Sequence, residues 1–354
     1  MDFIDISASI SVVAETMRKI GAAGFILTLD TDFSPFVHAT AATLSFPVPG
    51  ILLETNQASS ALWSYYNTNT ARGRGGRVRR FGATARILDG RRAVYTGHGP
   101  VVASYSSRGP DVNNALLQKA DVLKPTFMAP GTDIWAAWSP SSGGDPFCVG
   151  QDFALLSGTS MAAPHVAGVA ALIKQRNPRW TPAMQPRPSS PTAGARAGFI
   201  SPARALDPGL VFDARFEDYV RFLCAGVGVD GNSVRRAVGI GCEDGEEGWS
   251  SDLNAPSVTV SNLVGSRRVM RRLTNVGGER ETYNVTVREP SGVSVRVAPQ
   301  VFAVEKGGAE HVRISLTATR AINEFAFGEV MFEGDRGHVV SVPLAIYVTS
   351  TMGG

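Results

Sequence analysis

The chain has 354 residues, a length that fits two or three domains. Hydrophobic residues make up 44% and charged residues 18%, a globular balance that excludes a disordered chain. The net charge of +3 is too mild to mark a nucleic-acid binder, and no run of about 18 apolar residues marks a transmembrane helix. The opening MDFIDISASISVVAETMRKIGAAGFILTLD lacks a basic stretch before a compact apolar core, so it does not read as a signal peptide. Its spacing predicts a helix over 11–19, then a strand over 25–29 after two glycines.

Residues 1–85 alternate helix-like and strand-like pieces. PGILLET is a short apolar run of strand length, and ASSALWSYYNT over 58–68 has helical spacing. RGRGGRVRR over 72–80 carries five arginines and three glycines. Without interleaved aromatic residues to stack bases, it reads as an exposed hairpin tip rather than an RNA site.

Strand pieces follow at ARIL and PVVASYSS, then VLKPTFMAPGTDIWAAW. Five prolines between 178 and 191 forbid a helix or a central strand, so 176–198 is predicted to be an irregular connector. From about 255 to 350 the pattern has period two, with Gly, Pro and Asn between runs. About seven short strands at that spacing predict an antiparallel β-sandwich of immunoglobulin or fibronectin type III kind.

The chemistry concentrates in FALLSGTSMAAPHVAGVAALIKQ, residues 153–175. The helix from Met161 is apolar on every face but its end, which predicts burial. Pro164 is expected in its first turn, where a missing N–H costs little. Ser160 then stands at a helix N-terminus, among backbone N–H groups and the positive end of the dipole. That environment suits a nucleophile that generates an oxyanion, with the Ser160 N–H as one donor. An N-cap is the plainer reading of such a serine.

The wording of the segment decides between them. GTSMAAPHVAGVAAL resembles the nucleophile motif of the subtilisin-like proteases, the subtilases. VVASYSSRGPD and LKPTFMAPGTDIWAAW resemble the segments preceding that nucleophile in plant subtilases, and ARAGFISPARALDPGLVFD the segment after the catalytic core. LTNVGGERETYNVTV resembles their fibronectin type III-like domain, and residues 1–85 the latter part of their protease-associated domain.

The resemblance implies a fold of α/β and β class. It comprises a protease-associated remnant over 1–85 and a partial subtilisin-like parallel α/β domain over 86–215. A linker over 216–254 and a fibronectin type III-like sandwich over 255–350 complete it. It implies a serine endopeptidase with Ser160 as nucleophile and Gly158 and Thr159 as the supporting turn. His165 is then a packed helix residue and not the base. The family's aspartate, base histidine and oxyanion asparagine precede the inserted domain, within which this chain begins, so none is matched here. The chain alone is therefore expected not to turn over.

His38, His98, His311 and His338 sit in no motif with a nearby carboxylate. An α/β-hydrolase elbow would need G-x-S-x-G and an acid and histidine downstream, which this chain lacks. Metal and cofactor are expected to be absent, since neither cysteines nor histidines show ligand spacing. The expected partner is a protein or peptide substrate, with no nucleic acid and no membrane.

The resemblance also implies secretion, and with it a Cys224–Cys242 disulfide that leaves Cys148 free. Asn284 begins a glycosylation sequon, Asn284-Val285-Thr286, meaningful only in a secreted chain. The competing reading is a non-catalytic protein-interaction fragment, or a partial gene model. An in-frame aspartate and histidine motif encoded upstream of Met1 would separate the two.

Overall fold

Alternating apolar residues concentrate in the last hundred residues, and there the chain builds its largest core. In the computed structural model the described residues are 10–28, 48–53, 56–87, 100–103, 105–107, 109–110, 121–141, 150–184, 198–225, 230–242, 248–322 and 324–351. Two compact units divide the chain: residues 1–99, 103–106 and 130–163, and residues 100–102, 107–129 and 164–354.

In the first unit, helix α1 (Ile10–Lys19) leads into strand β1 (Phe25–Thr28), which pairs in parallel with β2 (Gly50–Leu53). Helix α2 (Asn56–Asn69) runs into a hairpin of β3 (Thr70–Arg72) and β4 (Val78–Phe81). The arginine- and glycine-rich stretch is that hairpin's exposed tip, turned by Gly75 and Gly76 at positive φ. ARIL forms no strand over its described residues, 85–87, and neither do the described residues of PVVASYSS. A strand exists only where a neighbour takes up its N–H and C=O groups, and among the described residues none pairs with these segments.

In the second unit β5 (Phe127–Met128) pairs in parallel with β8 (Gly198–Phe199). Between them in the chain, and in the first unit, lies the hairpin of β6 (Ile134–Ala137) and β7 (Phe153–Leu156). Helix α3 (Thr159–Arg176) follows β7. Of the proline-rich connector, 185–197 lie outside the described residues.

The sandwich holds two sheets. One has the order β10 (Val258–Val264), β17 (Val339–Ser350), β16 (Phe325–Gly334), β12 (Glu281–Arg288), β14 (Val301–Val304). The other has β13 (Val293–Ala298), β15 (Ala309–Ala318), β11 (Ser266–Asn275) and β9 (Leu210–Phe212). All pairs are antiparallel except β10 with β17. Val260, Leu273, Ile314, Phe332, Leu344 and Ile346 fill the space between the sheets. Each such side chain contributes about 1.5–3 kcal/mol on burial. Tyr283, Phe302 and Phe332 form an aromatic run with centroids 5.7 and 5.9 Å apart.

The sandwich reaches back further than its periodic sequence. β9 adds to the edge of β11, with Phe212 opposite Leu273 and all three residues buried. A three-residue run carries too little periodicity to be read as a strand, and the structure assigns it by its neighbour. Asn254 fastens the same segment, donating to the Asp213 and Arg272 carbonyls at 2.9 Å and accepting from the Arg272 N–H at 2.9 Å. Asp121 is held likewise, accepting from the Ser261 N–H at 2.8 Å and hydroxyl at 2.6 Å.

Two helices, α5 (Phe216–Cys224) and α6 (Gly231–Val238), occupy the segment read as a linker; α4 (Pro202–Leu206) precedes them. Cys224 and Cys242 form a disulfide with Cα atoms 5.5 Å apart. Cys148 lies outside the described residues.

Candidate active site

Helix α3 begins two residues earlier than the sequence pattern indicates. Its first residue is Thr159, and the Gly158 carbonyl accepts from the N–H groups of Met161 at 3.1 Å and Ala162 at 3.4 Å. Gly158 is therefore the N-cap, and Ser160 is the second helical residue rather than a cap. Its side chain is released from capping and is exposed, as is Thr159.

The earlier start also moves Pro164. It is the sixth helical residue, in the second turn and not the first. With no N–H, Pro164 cannot close the helical bond to the residue four before it, which is Ser160. The proline thus interrupts the helical ladder at the serine itself.

The turn before the serine is braced from a second loop. The Gly158 N–H donates to the Gly131 carbonyl at 2.7 Å. That approach requires a glycine at 131, because a Cβ there would lie 2.8 Å from the Gly158 oxygen and 3.1 Å from the Ala162 Cβ. Ser157 is buried, and its hydroxyl accepts from the Asp133 N–H at 2.8 Å. Asp133 has φ of 53°, a left-handed backbone that this bond helps to hold. The Tyr105 hydroxyl donates to the Gly131 carbonyl at 2.9 Å and lies 2.6 Å from the Thr132 hydroxyl. Gly131, Asp133, Ser157 and Tyr105 were not singled out by sequence reasoning. Their only signal was their place in GTDIWAAW, LLSGTS and VVASYSS.

Two expectations are corrected. Helix α3 is not buried: of its residues only Ile173 is, and Leu172 is 48% exposed. An apolar surface on all sides needs cover on all sides, and among the described residues that cover is complete only at Ile173, while Met161, Ala162, Val166, Val169 and Ala170 are half-buried. His165 is accordingly exposed rather than buried.

A third correction concerns His338, which does have nearby carboxylates. Nδ1 lies 2.6 Å from Glu281 Oε2, and Nε2 lies 3.2 Å from Asp207 Oδ1. Both ring nitrogens are occupied, so His338 is a bridge and not a general base awaiting a serine. Burial, the largest influence, lowers its pKa, but Glu281 and then Asp207 together outweigh burial and hold it above the usual histidine value. His311 is exposed on β15. His38 and His98 lie outside the described residues. Within the unit containing Ser160, the described residues supply no hydrogen bond to its hydroxyl.

Asn284 is exposed on β12, opposite Glu333 of β16. Among the described residues no helix is long and apolar enough to cross a membrane.

Comparison with known proteins places this geometry. Residues 35–211 match the model of the subtilase family, and residues 252–346 match a fibronectin type-III domain. The Arabidopsis thaliana subtilisin-like protease SBT2.4 is 40% identical over 370 residues, covering 97% of this chain and 44% of that protein. SBT2.5 and SBT2.6 from the same plant are each 37% identical over 377 residues, covering 97% of this chain and 45% of theirs. The chain thus spans a little under half the length of these relatives. With its serine-bearing helix inside the matched region and its sandwich beyond it, the chain belongs to the subtilase family.

Proposed function

We propose that the chain carries the nucleophile-bearing part of a serine endopeptidase, with Ser160 as the attacking residue. The observation that carries this reading is the exposed Ser160 hydroxyl at the start of α3, freed from capping by Gly158 and lying within the subtilase match. In the reaction the Ser160 oxygen attacks the scissile carbonyl and its proton passes to a base. The amine then leaves, and water hydrolyses the acyl-enzyme. The first-turn N–H groups of α3 and its dipole favour the oxyanion. Gly158 and Thr159 support the turn, and Gly131 and Ser157 position it.

The 354-residue chain by itself is proposed not to turn over. On this reading no residue of the chain stands in for the family's base and aspartate, and a serine hydroxyl is a weak nucleophile without them. Loss of triad members costs about 10⁴ to 10⁶ in kcat. Residues 1–85 are proposed to be part of a protease-associated domain. Substrates are proteins or peptides. The Cys224–Cys242 bond supports an extracellular, oxidising location, and there Asn284 would accept a glycan.

Grafting tests the nucleophile role. Residues 153–175 of this chain, exchanged into SBT2.4, should leave that protease able to cleave a peptide substrate. Ser160→Ala in the graft should abolish cleavage. Cleavage that persists in the alanine graft, or an inactive but folded graft with Ser160, would reject the assignment.

A further inference from the structure

The outer face of the sheet β13-β15-β11 is unusually charged. Val269, Arg271 and Leu273 are buried on β11, and Val312, Ile314 and Leu316 on β15. Strand alternation therefore puts Arg268, Met270 and Arg272 on the opposite face, beside His311, Arg313 and Ser315 of β15. On β13 the buried Val295 and Val297 leave Arg296 on that same outer face.

Register fixes the rows. Arg296 of β13 and Arg268 of β11 both stand opposite Ser315. One row along, Ser294 and Ser266 both stand opposite Thr317. In the other direction Arg313 opposes Met270, and His311 opposes Arg272. These outward positions of the three strands hold four arginines and a histidine, and no Asp or Glu. Among the described residues none of the four guanidiniums forms an ion pair; Arg268, Arg296 and Arg313 are exposed. Two acids are fixed beside this face: Glu289 accepts from the Ser294 hydroxyl at 3.2 Å and the Val295 N–H at 2.7 Å, and Glu310 accepts from the His311 N–H at 3.1 Å. A cleft of about 490 Å³ opens on this face, lined by Ser266, Arg268, Ser294, Arg296, Ser315 and Thr317.

We propose that this face binds an extended acidic polypeptide segment. Like charges in adjacent rows repel unless an anion sits among them, and guanidinium forks suit carboxylates. Ideal sheet spacings put Arg296, Arg313 and Arg272 on a diagonal with steps of about 8 Å. An extended peptide with acidic residues at alternate positions presents carboxylates about 7 Å apart. The row of hydroxyls offers partners for the peptide's N–H and C=O groups. None of the outward positions is Phe, Tyr or Trp, so the face lacks the large aromatic platforms on which single-stranded nucleic acid stacks. This binding goes beyond the proposed hydrolysis and does not depend on Ser160.

The test is fluorescence anisotropy of the full chain carrying Ser160→Ala, which separates binding from any turnover. The probe is a labelled octapeptide with Glu at every second position. Saturable binding should appear at 50 mM NaCl and weaken at least tenfold by 300 mM. Arg268→Gln with Arg296→Gln should weaken it at least tenfold. Arg77→Gln with Arg80→Gln in the β3–β4 hairpin should change it less than twofold. Competition on the unaltered face guards against a misfolded variant: unlabelled acidic peptide should displace the probe, and its Gln counterpart should not. Equal displacement by the Gln peptide would overturn the proposal, as would equal loss from the hairpin variant. So would an oligogalacturonate or single-stranded oligonucleotide displacing the probe at tenfold lower concentration than the peptide.

Discussion

Nδ1 of His338 lies 2.6 Å from Oε2 of Glu281, a carboxylate only 1% exposed at the start of β12. The same Glu281 oxygen accepts from the Tyr283 hydroxyl at 2.7 Å, and Asp207 approaches the far side of the imidazole. A buried carboxylate is costly unless it is paired and hydrogen-bonded. His338 supplies the charge, and through Asp207 it fastens the segment that becomes β9.

That bridge makes stability depend on pH. The folded-state pKa of His338 is raised, so folding favours the protonated ring. The contribution is fully present below the unfolded value near 6.5 and is lost as pH rises through the folded value. The thermal midpoint of the sandwich should therefore fall between pH 6 and pH 9. In His338→Asn that slope should be flatter. An equal slope in both proteins would contradict the bridge.

Gly209 lies against the same cluster. Its φ is 72°, and a Cβ there would meet His338 Cγ at 2.6 Å and the Tyr283 hydroxyl at 2.7 Å. Strain and clash act together, so Gly209→Ala should destabilise by about 2 kcal/mol or more. Urea unfolding followed by circular dichroism reads this; a midpoint like the parent's would refute the packing.

Asn275 is fully buried at the end of β11. Its amide donates to the Glu279 carbonyl at 2.8 Å and the Val304 carbonyl at 2.9 Å, and its oxygen accepts from the Gly277 N–H at 2.8 Å. It shapes the turn NVGG that joins β11 to β12. Asn275→Ala would leave those backbone groups without partners, at about 1–3 kcal/mol each. A loss near 3 kcal/mol is expected in the same unfolding experiment, and Asn275→Asp, which loses both donated bonds, should also destabilise.

Legibility in the sequence followed the length of the pattern. The sandwich was readable because β11, β15 and β16 alternate over ten residues each. VFAV of β14 and LVF of β9 were missed, because three or four residues do not establish a period. Arg271 breaks the pattern from within. It points inward, donates to the Met270, Ser251 and Ser257 carbonyls at 2.7–3.0 Å, and is brought down to about 10 by burial, partly offset by Asp252. No local signal marks a charged residue as internal when its partners are carbonyls up to twenty positions away.

The motif singled out Ser160 for the proposed site, but the brace of its turn was not legible. Asp133 and Ser157 are 24 positions apart, and only the fold brings them together. The exposure of α3 was illegible for a different reason. Composition reports that a helix needs cover and cannot report whether the chain supplies it.

The central proposal is that Ser160 is a nucleophile whose base is not supplied by these 354 residues. Labelling with a fluorophosphonate probe tests it most directly. Under conditions that label an intact subtilase to completion, the account predicts no modification of Ser160 by mass spectrometry. Stoichiometric labelling of the parent chain that disappears in Ser160→Ala would contradict it, and would mean that His38, His98 or another group of this chain takes the serine proton.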